Sequence, residues 1–596
     1  MAMESKTITI FAPTPRGYAL AQVLQAGLPQ ADIWTRKPDL PPVSLATAVA
    51  DHWHRRQQLI FILAVGAVVR LIAPHLCHKT QDPGVVAVDE TGRVVLSLSG
   101  GHQGGADALA RQVAALLGVD PLITSAAESQ NLPALDLLGS PYGWQAGSGN
   151  WQAVAAALTR LAPIQVIQTC GWDLWRSLFP TDYPFVSTEE QPVAQVWISD
   201  QLPPETNIPR VCWHPRTLWV GLGCERGTPV TVLEQAVVQV CIQQGLALGA
   251  IAGLASIELK RDEVGIQTLA QQHHWPLVFF RAEDLAQIPV PHPSAVVAEA
   301  VGTHSVAEAA AIQAAQGSLV VTKQIIPHPQ GACTVAIARS TQGYNPNPGE
   351  LHLIGIGPGA LDQMTGAARA ALAQCHLVIG YQRYLDLIQP LHHPQQILEA
   401  SPITQERQRA ERAIALAQRG LKVGVVSSGD CGIYGMAGLV LECLAAQDWD
   451  GCTPRVSLLP GITALQAVAA RLGAPLMNDF CAISLSDLLT PWPVIEHRLG
   501  AAAQADFVVA LYNPRSQTRT AGLQRAIDIF RQGRSPETPV AIARSAYRLD
   551  EQITRTTLAD VNIETVDMLT LVLIGNASTF IHQGHLITPR GYLPNS

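Results

Sequence analysis

The sequence predicts an α/β protein built from several parallel-sheet units, and three observations carry that reading. Short β-branched apolar runs alternate with turn residues and then with segments of helical spacing, which is the signature of strand–turn–helix units. The hydrophobic fraction is 48% against 14% charged, so large cores can be buried and a disordered chain is excluded. At 596 residues the chain is too long for one core, and at ~150 residues per domain about four are expected.

Taken in order, residues 1–6 form a polar lead and residues 7–11 the first strand. Runs 59–65, 85–88 and 94–98 read as further strands, and 106–117 as a helix, closing a first α/β domain over residues 1–135. Residues 136–217 form a middle region, Trp-rich and less regular, with Pro180, Pro184, Pro192, Pro203 and Pro204 punctuating short strands at 164–169 and 193–198. A further α/β domain spans 218–339. The segment 340–349 (STQGYNPNPG) is polar and broken by Pro346 and Pro348, the best linker in the chain, joining two independently folding halves. Residues 350–596 form the last unit.

Charge and cysteine usage exclude several functions. Lys and Arg number 39 against 47 Asp and Glu, a net charge of −8, so no chain-wide basic field exists to hold nucleic acid or an anionic membrane. The longest apolar run, 59–69, is stopped by Arg70 and falls short of the ~20 residues that span a bilayer. The lead has no basic region, long apolar segment or cleavage site, and a cytoplasmic protein is expected. The 11 cysteines form no C-x-x-C pair, so neither a zinc ribbon nor a disulfide framework is written here; most are expected as buried thiols, and no protein metal site is expected.

The last unit carries the most specific motifs. A strand at 351–356 runs into Gly355-x-Gly357-Pro358-Gly359, with Thr365 as the N-cap of a helix through Gln374. This is neither a P-loop nor G-x-G-x-x-G, and Pro358 removes a backbone donor, which disfavours a pyrophosphate cradle. The strand 423–427 leads into Ser428-Gly429-Asp430-Cys431-Gly432-Ile433-Tyr434-Gly435-Met436. Leu459-Pro460-Gly461-Ile462-Thr463-Ala464 follows, then the strand 507–512 ending in Asn513-Pro514-Arg515, and finally 538–544 (TPVAIAR).

In that order these loops resemble the tetrapyrrole methylases, the S-adenosylmethionine-dependent class that methylates uroporphyrinoid rings. SSGDxGIYGMAGLVLE, GYxxYLDLI and LYNPRS are similar to the precorrin-3B or cobalt-factor III C17-methyltransferases. The resemblance implies a two-domain methylase with the donor site in the interdomain cleft. It implies that Pro358, Ser428, Gly429, Asp430, Ile433, Thr463, Ala464, Asn513 and Ala546 line the S-adenosylmethionine site, with Asp430 also a candidate catalytic group. It further implies a homodimer through this half. Ala360 replaces the family's usual Asp, with Asp362 as a possible substitute, and Cys431 replaces its usual Pro. At Gly429 a side chain is expected to obstruct donor approach with little loss of stability.

The earlier domains carry Ser99-Gly100-Gly101-His102-Gln103-Gly104-Gly105-Ala106-Asp107, a Gly-rich loop between strand and helix whose N–H groups suit carboxylate binding. Others are 219–229 (WVGLGCERGTP), 255–260 (ASIELK) and 301–310 (VGTHSVAEAA). Together they resemble the cobalamin-pathway hydrolase that opens the δ-lactone of cobalt-precorrin-5A and releases acetaldehyde, with the middle region matching weakly. Lactone opening needs a base and an oxyanion stabiliser, so His102 is the candidate base, the loop N–H groups or Lys323 the stabiliser, and Glu308 an orienting group. Ser305-x-x-Glu308 also reads as a capping box. Cys224 reads as a turn or core thiol, and His273-His274 and His392-His393 as surface or packing residues.

Both resemblances imply cobalt-bearing, multiply carboxylated tetrapyrrole substrates, with cobalt arriving as part of the substrate. The expected activity is bifunctional: C-17 methylation with ring contraction, and hydrolysis of a later lactone, with transient contacts to neighbouring pathway enzymes. Two alternatives stay open. In one the methyltransferase alone is active; in the other the first half is a non-catalytic tetrapyrrole carrier.

Overall fold

Five sheets of five or six strands, each flanked by helices, run in chain order through the computed structural model, which describes residues 8–35, 43–55, 58–79, 81–186, 191–402, 404–516 and 520–592. The lead 1–6, Thr7 and Thr80 lie outside the described residues.

The first sheet orders its strands Ala31–Trp34, Ile8–Phe11, Gln58–Ile62, Val85–Val88, Val95–Ser99 and Pro121–Leu122, and the first four are parallel. The apolar run expected as one strand to residue 65 divides here. Its strand stops at Ile62 and the helix Val65–Ile72 follows, burying Val68 and Ile72 one turn apart. Continuous hydrophobicity cannot separate a buried strand from the buried face of a helix. Helix Ala106–Leu117 opens after Gly105 and closes on Gly118, both left-handed.

The middle region is more regular than its prolines indicate. Strands Gln145–Gly149, Arg210–His214, Ala194–Ile198, Ile164–Gln168 and Phe185–Val186 form one sheet, parallel except at the edge strand Gln145–Gly149. Its aromatic residues make the core: Trp175 and Trp213 are fully buried, and Trp175 meets Phe179 and Phe185 edge-on. The next sheet places Leu277–Phe280, Ile251–Ile257 and Leu218–Cys224 in parallel and adds the antiparallel pair Cys333–Arg339 and Ser318–Ile326.

The last unit has two large sheets and a small one of three short strands, Gly473–Ala474, His585–Ile587 and Phe580–His582. Of the large ones, one is wholly parallel, ordered Ile397–Ala400, Leu377–Gly380, Lys422–Ser427, Glu350–Gly355 and Arg455–Leu459. The other is mixed, ordered Phe480–Ser484, Val508–Tyr512, Thr570–Ile574, Pro539–Arg544 and Gln552–Thr557. In the parallel sheet the loops after Gly355, Ser427 and Leu459 leave from the same end, because neighbouring parallel strands share a direction.

Residues 340–349 are not an open tether. Asn345 donates from Nδ2 to the carbonyls of Pro141 (2.8 Å) and Arg419 (3.0 Å), and the Arg216 guanidinium lies over the Tyr344 ring. The Arg419 guanidinium covers Trp172 at 3.4 Å, and buried residues of the middle sheet and of the wholly parallel sheet of the last unit form one contiguous hydrophobic cluster. Helix Ala106–Leu117 also packs on helix Gly366–Leu372. Of the eleven cysteines, all unpaired, five are buried (Cys212, Cys241, Cys333, Cys375, Cys431), four half-buried and two exposed, fewer buried than expected. Among the described residues no single helix is long and apolar enough to cross a membrane.

Candidate active sites

In the last unit, the loops that follow three parallel strands meet backbone to backbone. Gly357 and Gly429 exchange two hydrogen bonds, and a Cβ on Gly461 would collide with the Gly429 carbonyl, so glycine at 461 is a condition of the loops closing. Asp430 pins this junction. Its Oδ1 accepts from Gly432 N (2.8 Å) and its Oδ2 from Gly461 N (3.0 Å), so both oxygens are spent on holding loops.

The mixed sheet supplies the opposite wall. Tyr512, at the end of its strand, shares a 2.7 Å hydrogen bond with Thr463 Oγ1 and accepts from Leu465 N, and its ring lies 4.9 Å from that of Tyr434. Tyr434 sits in a left-handed conformation and donates to the Ala482 carbonyl, which holds its neighbour Ile433 out at 42% exposure. Asn513, also left-handed, donates to Ser484 Oγ, and Ala464, Tyr512 and Ala546 pack against one cluster. Arg548 closes the gap: Nε donates to the Pro358 carbonyl (2.9 Å) and Nη2 to Ser428 Oγ (3.0 Å). These contacts link the loops carrying Pro358, Ser428, Gly429, Asp430, Ile433, Thr463, Ala464, Asn513 and Ala546 into one cleft.

Arg548, Tyr434 and Tyr512 belong to this cleft although they were not singled out from the sequence. Tyr434 and Tyr512 stand inside the quoted motifs, whereas Arg548 lies beyond the last one and carried no local signal. Asp362 is exposed. Thr365 caps its helix as expected, accepting from Ala368 N, although that helix ends at Leu372 rather than Gln374.

In the first half the candidates fall into two separate groups. His102 is hydrogen-bonded through Nδ1 to Asp136 Oδ1 at 2.9 Å, while its Nε2 faces Asp107 Oδ2 at 3.8 Å. The hydrogen bond to Asp136, against burial, raises the imidazole pKa above its ordinary value, with Asp107 adding to the rise and Lys79 opposing it. The loop N–H groups expected to meet an oxyanion are partly committed: those of Gly105, Ala106 and Asp107 donate to the carbonyls of His102, Gly100 and Gly101.

Glu308 and Lys323 form the second group, with no hydrogen bond or ion pair to His102 among the described residues. Glu308 is fully buried and does not close a capping box, because Ser305 makes no side-chain cap bond. Instead the carboxylate accepts from His292 N, from His292 Nδ1 (2.9 Å) and from Lys323 N (3.0 Å). Burial alone would raise its pKa; the donors from Lys323 and His292 outweigh it and hold the carboxyl below its ordinary range. Lys323 reaches the His292 carbonyl with Nζ at 3.4 Å. The remaining candidates are structural: burial pushes the Cys224 thiol pKa up, His273 pairs with Glu234 and stacks on Trp275, and His393 is buried against the Ala373 carbonyl.

Four segments of the chain match known family models. The model of tetrapyrrole (corrin/porphyrin) methylases matches residues 350–562. Those of the cobalamin synthesis G N-terminal part, the cobalamin biosynthesis central region and the cobalamin synthesis G C-terminus match 47–128, 133–215 and 218–338, so the middle region has a family match stronger than its sequence motifs indicated. A probable cobalt-factor III C(17)-methyltransferase of Salmonella typhimurium is 50% identical over 242 residues, 41% of this chain and 99% of the relative. A precorrin-3B C(17)-methyltransferase of Sinorhizobium sp. is 42% identical over 249 residues, covering 41% and 97%. The crystal structure of the methyltransferase CobJ shares 39% identity, covers 40% of this chain and all of that one, and gives a TM-score of 0.39.

Proposed function

Because the chain belongs to the tetrapyrrole methylase family and carries all three parts of the cobalamin synthesis G protein ahead of it, we propose a cytoplasmic, bifunctional enzyme of cobalamin biosynthesis. Residues 350–596 methylate C-17 of precorrin-3B or cobalt-factor III and contract the ring; residues 1–339 hydrolyse the lactone of cobalt-precorrin-5A and release acetaldehyde. Cobalt belongs to the substrate. The observation that carries the methylase reading is the convergence of five separated loops on one cleft.

The cleft suits S-adenosylmethionine. Ile433 presents uncovered apolar surface, Ala464 and Ala546 are half-exposed on one shared cluster, and the glycine backbone at 357 and 429 permits close approach. The donor supplies a methyl group already activated on a sulfonium. The protein's task is orientation. Pro358, Ser428 and Gly429 form one side of the holding surface, Thr463 and Ala464 the helix-start side, and Asn513 and Ala546 the wall from the mixed sheet. Asp430 keeps the loops in register, and Arg548 ties Pro358 and Ser428 together. In the hydrolase half His102 takes the proton from the attacking water, with Lys323 and Glu308 assigned to a separate substrate-holding group.

The full-length protein tests both activities. Incubation with S-adenosylmethionine and cobalt-factor III is expected to give a product one methyl heavier, and incubation with cobalt-precorrin-5A to release acetaldehyde. A folded protein without donor binding would overturn the first assignment; one that leaves cobalt-precorrin-5A intact would overturn the second.

A further inference from the structure

We propose that Asp136, on the middle module, is the positioning residue for His102 on the first, so that the hydrolytic base of this half is a composite pair assembled across the two modules. The proposal rests on the lactone-hydrolase reading and names the residue that makes it work.

Geometry carries the assignment. Asp136 projects from the short turn Leu135–Leu137, which is fixed by the buried Leu135 and Leu138. A carboxylate only accepts, so the 2.9 Å bond puts the imidazole proton on Nδ1 and leaves the lone pair on Nε2. Nε2 is 3.8 Å from Asp107 Oδ2, beyond hydrogen-bond reach, and the His102 side chain is 30% exposed, so that lone pair is open to a reactant. Asp107 is itself held, accepting from Ser97 Oγ at 2.6 Å. The charged groups facing His102 are therefore Asp136 from the turn, Asp107 from helix Ala106–Leu117 and Lys79 from the loop before Val85–Val88. The two carboxylates favour the imidazolium, which stabilises the charge that develops as the base takes a proton.

The chemistry balances without an oxidant or reductant. Water adds to the lactone carbonyl and gives a proton to His102 Nε2; the acyl C–O bond breaks, leaving a carboxylate and a secondary alcohol. His102 returns its proton to solvent; the alcohol gives its own proton to solvent as the C–C bond to the macrocycle breaks, the conjugated system takes the electron pair, and acetaldehyde leaves. His102 serves the first proton transfer, and Asp136 acts only through it.

The test uses full-length Asp136→Asn, with His102→Gln as a control that also identifies the His102 resonance in histidine-labelled protein. In Asp136→Asn the His102 pKa is expected to fall, because its largest raising partner loses its charge. The acidic limb of kcat/KM for acetaldehyde release should move to lower pH by the same amount, and the plateau should drop about 10²-fold or more. Methyl transfer should be unchanged. An unmoved His102 titration, or a plateau that drops while the limb stays in place, would overturn the positioning role. A parent protein that releases no acetaldehyde would instead overturn the hydrolase reading, and the catalytic use of the pair with it.

Discussion

Gly357 and Gly429 exchange both backbone hydrogen bonds, at 3.1 and 2.8 Å, although they follow different strands of the parallel sheet. Gly429 accomplishes this at a φ of +71°, where a Cβ costs ~1–2 kcal/mol. The expectation of little stability loss from a side chain here is therefore revised. Gly429→Val should lower S-adenosylmethionine affinity at least tenfold and also destabilise the fold by about 1–2 kcal/mol, with Gly429→Ala showing the backbone part alone. Calorimetric binding and urea melts on the same preparations check both effects; unchanged affinity would reduce the turn to a structural role.

Arg548 spans two loops with two charge-assisted hydrogen bonds, to the Pro358 carbonyl and Ser428 Oγ. Bonds from a charged group contribute about 1.5–3 kcal/mol, so Arg548→Leu should weaken donor binding by about 10- to 100-fold. Arg548→Lys, a point charge on a flexible stem, cannot satisfy both acceptors in the same geometry and should recover only part of the loss. Titration of each variant with S-adenosylmethionine decides the order; equal affinity in all three would show that the bridge does not shape the site.

Asp430 separates two roles by one atom. Asn keeps an acceptor for Gly432 N but turns an NH2 toward Gly461 N–H, donor against donor. If Asp430 is a loop pin, Asp430→Asn should weaken donor binding by about 1–3 kcal/mol and leave the pH profile of methyl transfer where it was. A displaced profile with intact donor binding would mark it as a proton-transfer group.

The methylase cleft was legible because its chemistry is written in contiguous loops: Ser428 to Met436 and Leu459 to Ala464 each sit where a strand ends, and strand ends of one parallel sheet must meet. Arg548 was not legible, since its partners Pro358 and Ser428 are set by the docking of the second sheet on the first. Asp136 left a faint signal, an acid set between leucines. His292 left none, because its bond to Glu308 depends on how helix Val306–Ala315 lies on its sheet. The middle region misled for a related reason: its prolines fall in connections between strands, while its tryptophans supply the core.

Glu350 ties neighbouring strands at their start, with Oε2 3.2 Å from His352 Nε2 and Oε1 2.9 Å from Lys422 Nζ. His352 first, with Lys422, outweighs burial and holds the Glu350 carboxyl down at about 2 against an ordinary 4.5. A carboxyl lowered in the folded state contributes stability that is present above its unfolded pKa and is lost as pH falls through the folded one. The window is therefore pH 4.5 down to about 2, and the contribution is at most about 3 kcal/mol, reduced by solvent because the side chain is partly exposed. Urea melts of the parent and Glu350→Gln should differ most at neutral pH and converge toward pH 2 to 3, since only the parent has a carboxylate left to protonate. A difference that stays constant across that range would show that Glu350 contributes through packing and neutral hydrogen bonds rather than through its charge.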